Sequence, residues 1–463
     1  MTEINGAPTR VKSRRTAWTY LLLALLGFVL GSIMVNMIAS RLSDGAPIQR
    51  AFNVGALETV TPVSLAPWWL VGRAQLDCQQ FMPLASAQTS IVAAIARPKF
   101  VLGDRKVKPC SLLASYAERK RLSGNMRETS RNDGFFTAGS LTLPAIALLG
   151  VPLTRWINVL LLVGAAGVGL WMMCTGRAQD VHRDRIAATA CMVIASALVL
   201  AVPGSLTAIP TMAILLLSIF GVLRLLKQGR DGRDIILKLT PLVAAAMLSL
   251  DPTGGSVAVG FGCVLLLARL VSTPGDKGAT VLDAAGFYML TVILCWLAFA
   301  LCIGIAKGSP DASEVLLDQL TSLSEAGSFT ALQAGTIGTY EWLSNDALLG
   351  PLGALDLMLT VLFGIATYSV VRPVSPAASR AEPLLTALIA IAPVVLWALL
   401  YPGYWSGNED QYSLIAMWIV AIALSGPLCL LVEGARHLAR EQKALPAPSA
   451  RQATPLSGAT PFA

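Results

Sequence analysis

Asp77 is the carboxylate of this chain whose surroundings best suit proton chemistry. It lies in the run Gln75-Leu76-Asp77-Cys78-Gln79-Gln80, shortly after Pro67-Trp68-Trp69. Paired tryptophans are typical anchors at a membrane–water boundary, and they would hold Asp77 close to that surface. A carboxylate there could take a proton from an incoming hydroxyl while nearby cations accept a leaving phosphate. The cations are plentiful, with Arg73, Arg119, Arg121 and Arg127 the candidate phosphate ligands within a longer basic series. Arginine suits phosphate because its planar fork presents paired donors. Each observation has a plainer reading. Asp77 could cap a short helix or pair with Arg73 four residues earlier. The basic series could be a solvated face or meet anionic lipid headgroups.

Three further carboxylates are candidate substrate contacts. Glu341 precedes Trp342, and Glu409 and Asp410 follow Tyr404-Trp405. Aromatic rings beside carboxylates are a common way to hold carbohydrate, although aromatics at a membrane boundary are also ordinary. Asp346, further along, could merely cap the helix that follows.

The elements that must position these groups are apolar. Of 463 residues, 55% are hydrophobic and 13% charged, about half the charge of an ordinary soluble protein. Repeated apolar runs of about 18–22 residues match the roughly 30 Å hydrocarbon core that a helix must cross. The fold class expected is therefore all-α and integral to the membrane, with about ten transmembrane helices. Helices are expected at 17–39, 155–174, 186–203, 208–226, 235–250, 255–272, 282–306, 352–371, 383–401 and 412–432. Alternate loops, beginning with the one holding Arg177, Arg183 and Arg185, carry Lys or Arg, whereas the loops between them carry none. Basic loops stay in the cytoplasm, so both termini are expected inside. The net charge of +8 follows from this pattern and does not call for nucleic acid.

Domain organisation follows. Residues 1–16 form a cytoplasmic N-tail and 17–39 the first transmembrane helix, read as a signal anchor because no convincing cleavage site follows it. Residues 40–153 form an extracytoplasmic loop domain with interfacial helices. Within it 139–152, short and interrupted by Pro144, is re-entrant or interfacial; counting it as a span would place the later basic loops outside. Residues 154–307 hold helices two to seven, 308–351 a second outer loop, 352–432 the last three helices, and 433–463 a disordered cytoplasmic tail. Loops as long as the two outer ones are usually functional.

Cys78 and Cys110 are the cysteines outside the apolar runs. In an oxidising compartment they would form a disulfide closing about 30 residues; in a reducing one they would be two thiols. His182 and His437 both fall on the cytoplasmic side, which argues against an outer Ser-His-Asp triad or His-bound zinc. No metal site and no cofactor is read from the sequence, and a divalent ion is left open. Within the apolar runs, Asp356 lies near the outer face, while Lys238 and Arg269 lie near inner ends and can snorkel. There is no P-loop pattern.

The plan resembles the GT-C class of membrane glycosyltransferases, with a cytoplasmic N-terminus, a long first outer loop carrying a catalytic acid, and a later outer loop completing the site. Over about residues 70–175 the first loop also looks like that of a group of uncharacterised bacterial multi-pass proteins. These carry a Leu-Asp-x-x-x-Asp segment ahead of a Tyr-Ala-Arg-Tyr-Trp-His-Gly stretch. Here the matching residues are Leu76-Asp77 and Tyr116-Ala117-Glu118-Arg119, without the second Asp or the Trp-His-Gly. The resemblance implies transfer of a sugar from a polyprenyl-phosphate donor onto an extracytoplasmic glycan or lipid, with Asp77 as base, in a bacterial inner membrane. The partners would be the lipid bilayer, the polyprenyl-phosphate lipid and the glycan acceptor, with no nucleic acid. Two other classes stay open: a transporter or flippase for an envelope precursor, and a non-catalytic membrane scaffold subunit.

Overall fold

The computed structural model describes residues 7–43, 99–103, 109–119, 126–130, 137–174, 231–250, 255–272 and 276–307, with Cys78, Phe81, Leu206 and scattered residues between 385 and 396. The helices expected at 186–203, 208–226, 352–371 and 412–432, most of that at 383–401, the second outer loop and the C-terminal tail lie outside the described residues.

Five long helices are described: α1 (Ala7–Ser43), α3 (Thr137–Cys174), α4 (Gly232–Leu250), α5 (Gly255–Val271) and α6 (Lys277–Lys307). A shorter helix, α2 (Pro109–Arg119), lies between strands β1 (Lys99–Gly103) and β2 (Met126–Ser130). The strands pair antiparallel, with Lys99 opposite Ser130 and Gly103 opposite Met126. Among the described residues the bundle itself contains no strand. The all-α expectation therefore needs one correction, a small ribbon inside the first long loop. Phe100-Val101-Leu102 is a short apolar run of strand-forming residues, and Met126–Ser130 supplies the partner it needs.

The helices meet at one end through charges. Asp283, near the start of α6, accepts from Arg14 Nη2 at 2.6 Å and Arg14 Nε at 3.3 Å. It also accepts from Arg233 Nη2, at the start of α4, at 2.5 Å. Beside this triad, Lys238 donates to Asp234 at 2.5 Å and Thr16 donates to Asp234 at 3.4 Å. Asp231 caps α4 by accepting the backbone N–H of Arg233 at 3.2 Å. The N-terminal ends of α1, α4 and α6 therefore lie together, and α5 runs back between α4 and α6. α1 begins at Ala7, before the apolar run, and Arg14 in its second turn is held by Asp283 of α6.

Away from this end the contacts are apolar and close. Ala17, Leu21, Ala24, Phe28 and Ser32 repeat at helical spacing and form the buried stripe of α1. A core of Ala24, Phe28, Ala245, Leu248, Cys295 and Phe299 joins α1, α4 and α6. Small residues let the backbones approach, as is common between membrane helices. Gly260 of α5 is the tightest case: a Cβ there would lie 2.8 Å from Met247 Cγ and 2.8 Å from the Tyr288 hydroxyl. That hydroxyl donates to the Val257 carbonyl at 2.7 Å, while its ring stacks on Phe261 at a centroid distance of 4.8 Å. Two buried threonine hydroxyls donate within their own helices, Thr240 to Ile236 O and Thr291 to Phe287 O.

The outward faces are apolar too. On α1, Leu22, Leu23, Leu26, Leu30 and Met34 are each more than half exposed, and on α6 so are Leu282, Ile293 and Leu301. Two segments, Arg14–Val35 and Lys277–Cys302, are long and apolar enough to cross a membrane. Their 22 and 26 residues exceed the roughly 20 that a bilayer core requires.

Two outcomes follow. Asp283→Ala leaves the buried Arg233 with only the more distant carboxylate of Asp276, 3.9 Å away, and should cost about 3 kcal/mol, whereas Arg14→Ala, at an exposed partner, should cost about 1 kcal/mol or less. Unfolding midpoints of the detergent-solubilised variants measure both, and equal losses would show that burial does not set the difference. Gly260→Val should destabilise by about 1–3 kcal/mol through overpacking. Because it displaces Tyr288, it should also change near-ultraviolet circular dichroism; an unchanged spectrum and midpoint would mean the α4–α5–α6 contact is looser than described.

Candidate functional site

The first loop has its own small core. Cys78 is bonded to Cys110, thirty-two residues on. Around the disulfide, Phe81, Leu112, Leu113 and Ala114 are buried, and Ser115 Oγ donates to the Leu112 carbonyl at 2.9 Å. The disulfide adds a covalent tie to these contacts. In the chain-entropy account, closing a loop of this length contributes about 3–4 kcal/mol.

Covalent linkage and backbone register relate some of the candidate residues to this disulfide and to the ribbon. Asp77 is joined by a peptide bond to Cys78, and the disulfide joins Cys78 to the first turn of α2. Arg119 is the last residue of that same helix. A helix C-terminus favours cations through its exposed carbonyls. Arg127 sits on β2 opposite Leu102, next to Glu128 opposite Val101. The pairing of Gly103 with Met126 brackets the chain carrying Arg105, Lys106, Lys108, Arg119, Lys120 and Arg121 between two hydrogen-bonded strands. Asp77, Arg73, Arg121, Glu341, Glu409 and Asp410 themselves lie outside the described residues.

A second polar feature sits on α3. The segment expected to be re-entrant or interfacial forms the first part of this helix, and the expected span forms the second. The two parts are merged across a break at Gly150 (φ 76°, ψ 168°). That conformation is open essentially to glycine alone. The chain restarts as helix at Val151, and Thr154 Oγ1 donates back to the Gly150 carbonyl at 2.7 Å. Pro152 sits in the first turn, where a missing N–H costs nothing.

The restarted helix has its polarity turned inward. Val151, Thr154, Arg155 and Asn158 are buried, while Leu153, Leu160 and Leu161 are exposed. Arg155 is only 2% exposed and Asn158 8%. The Asn158 Nδ2 has no hydrogen-bond partner. An ionisable residue facing the inside of an apolar bundle usually marks a substrate or ion pathway. Sequence reasoning passed over Arg155 because it begins an expected span, where an arginine looks like a boundary marker. The available signal was its setting, Pro152-Leu153-Thr154-Arg155-Trp156, with apolar residues on both sides and no neighbouring charge.

Among the described residues, no group of three or more His, Cys, Asp or Glu side chains is placed to hold a metal ion. Compared with known proteins, the chain matches no protein family, no curated sequence and no solved structure.

The disulfide gives a direct measurement. In protein from intact cells, peptides containing Cys78 and Cys110 should resist alkylation until a reductant is added, and Cys78→Ser should expose Cys110 to reagent. Alkylation of both before reduction would show two thiols and remove the cross-link from the loop.

Proposed function

We propose that this chain is a multi-pass protein of a bacterial inner membrane, with about ten transmembrane helices and both termini in the cytoplasm. In this reading it transfers a sugar from a polyprenyl-phosphate donor to an extracytoplasmic glycan or lipid, in the manner of the GT-C class. The observation that carries the reading is the Cys78–Cys110 bond. It ties the segment bearing Asp77 to the helix ending in Arg119, so a candidate base and a candidate phosphate ligand belong to one cross-linked unit.

The membrane part of the reading is supported by the leucines exposed along α1 and α6. Such a surface is costly in water and ordinary in lipid. The topology is supported by the direction of the helices. If α1 spans the membrane, it ends on the far side, yet α4 starts beside the beginning of α1. An odd number of crossings must then separate them. The three expected spans at 155–174, 186–203 and 208–226 satisfy this, with 139–152 not counted. A disulfide in the first loop fits an oxidising outer compartment.

In the reaction, the Asp77 carboxylate takes the proton of the acceptor hydroxyl. The acceptor oxygen bonds to the anomeric carbon as the bond from that carbon to the donor phosphate oxygen breaks. The phosphate leaves carrying the electron pair, and Arg119, Arg121 and Arg127 stabilise it. Glu341, Glu409 and Asp410 would contact the sugar or acceptor from the later outer loops. A second reading, a flippase or transporter for an envelope precursor, is favoured by the inward polar stripe of α3. Movement of lipid-linked sugar across proteoliposomes without turnover would distinguish it.

Asp77→Asn should lower sugar transfer from a labelled polyprenyl-phosphate donor by about 10²–10⁴-fold while insertion and the disulfide are kept. Wild-type transfer by that variant would remove Asp77 as the base.

A further inference from the structure

We infer that the groove between α1 and α6, at the end joined by Arg14 and Asp283, seats an anionic phospholipid of the adjoining leaflet. The inference rests on the membrane part of the reading above. It adds a partner at the end of α1 opposite the one that leads into the first loop.

The depth of the groove matches a headgroup. The two long apolar segments begin at Arg14 and Lys277. Arg14 meets Asp283, and one turn further along each helix Trp18 meets Phe287, edge to face with ring centroids 5.5 Å apart. One turn is about 6 Å of helix rise, so Trp18 lies just inside the start of its apolar segment. Tryptophan is enriched at that level in membrane helices, between headgroups and chains. Trp18 stays 51% exposed beside Phe287.

The charge at the mouth of the groove is positive. Asp283 is shared by Arg14 and Arg233, and Asp234 is taken by Lys238. Arg15 is exposed and forms no ion pair among the described residues. Arg14 uses Nε and Nη2 on Asp283, leaves Nη1 outside both bonds, and has a side chain 59% exposed. Two successive guanidiniums, one held in place and one unpaired, suit a phosphate that accepts paired N–H donors.

Below the mouth the walls are apolar and open. Arg15, Trp18 and Leu22 share one exposed face of α1 at helical spacing. On α6 the exposed positions Gly286, Met289 and Ile293 follow the same spacing. Gly286 adjoins Phe287 in sequence, and a Cβ there would meet nothing within 4 Å. A diacyl lipid can put its phosphate at the arginines and lay a chain over Gly286. A soluble anion would use the arginines alone, and a zwitterionic headgroup brings a cation of its own that competes with them.

The test titrates full-length protein, purified in a neutral detergent, with phosphatidylglycerol and with phosphatidylcholine of the same chains. Native mass spectrometry counts the bound lipid. Wild type should hold phosphatidylglycerol about tenfold more tightly, the scale of one or two charge-assisted hydrogen bonds. Arg15→Gln should remove most of that preference. Gly286→Leu should weaken both lipids by filling the groove, without meeting protein atoms. Gly27→Leu projects into open space from the opposite side of α1 and should change neither. Unfolding midpoints without added lipid establish that the variants are folded. Equal binding of the two lipids by wild type overturns the site, as does wild-type preference in Arg15→Gln. Unchanged binding in Gly286→Leu, or equal losses in Gly286→Leu and Gly27→Leu, overturns the groove as the seat. Each of these outcomes leaves the membrane reading and Asp77 as they stand. Release of the protein from membranes by alkaline carbonate without detergent would remove the membrane reading, and the lipid seat with it.

Discussion

Asp283 stands between two guanidiniums, and the arrangement of the described bundle depends on it. Arg14 brings α1, Arg233 brings α4, and the carboxylate itself belongs to α6. The charges are needed at this end for a specific reason. The first turn of α1 has no acidic residue and the turns after it are basic, so its cations sit at the unfavourable pole of the helix dipole. The Asp283 carboxylate of α6 offsets that at Arg14, and Asp234 lies in the first turn of α4, at the favourable pole of that helix. Arg233 and Asp283 are both largely shielded from water. A buried pair of this kind contributes less to net stability than to the choice of one arrangement over others, since each misplaced alternative leaves a charge uncompensated.

Once those three ends are joined, packing along the axes becomes a matter of how closely backbones can approach. Ala24, Ala245 and Cys295 are small enough for α1, α4 and α6 to meet around Phe28 and Phe299. At Gly260 the approach is closer still, and the Tyr288 hydroxyl uses the space to reach a backbone carbonyl in α5. The hydroxyls of Thr240 and Thr291 turn back onto their own helices instead. In the restarted part of α3, Arg155 and Asn158 face inward.

Two further devices shape the chain. One is covalent: the Cys78–Cys110 bond ties the residue after Asp77 to α2. The other is conformational: Gly150 breaks α3 so that a helix start and a buried guanidinium lie on one face.

How much of this was legible beforehand depends on whether the signal was local. Apolar length and loop charge are local, and the runs at 17–39, 235–250, 255–272 and 282–306 lie within or nearly coincide with α1, α4, α5 and α6. The two cysteines outside the apolar runs were equally visible. What was not legible depended on partners distant in sequence. Arg14 of α1 meets Asp283 of α6, 269 residues away. The β1–β2 ribbon exists because Val101 finds Glu128, and neither strand is long enough to announce itself alone. Arg155 reads as a boundary residue in the chain and becomes an interior cation only when neighbouring helices cover it. Of the candidate site, the sequence by itself determined which residues could do chemistry: Asp77, the loop arginines and the cysteine pair. Only the tertiary structure decided that Cys78 is bonded to the helix carrying Arg119 and that Arg155 faces inward. Side-chain type is written in the chain, whereas burial and proximity are created by the elements that fold against it.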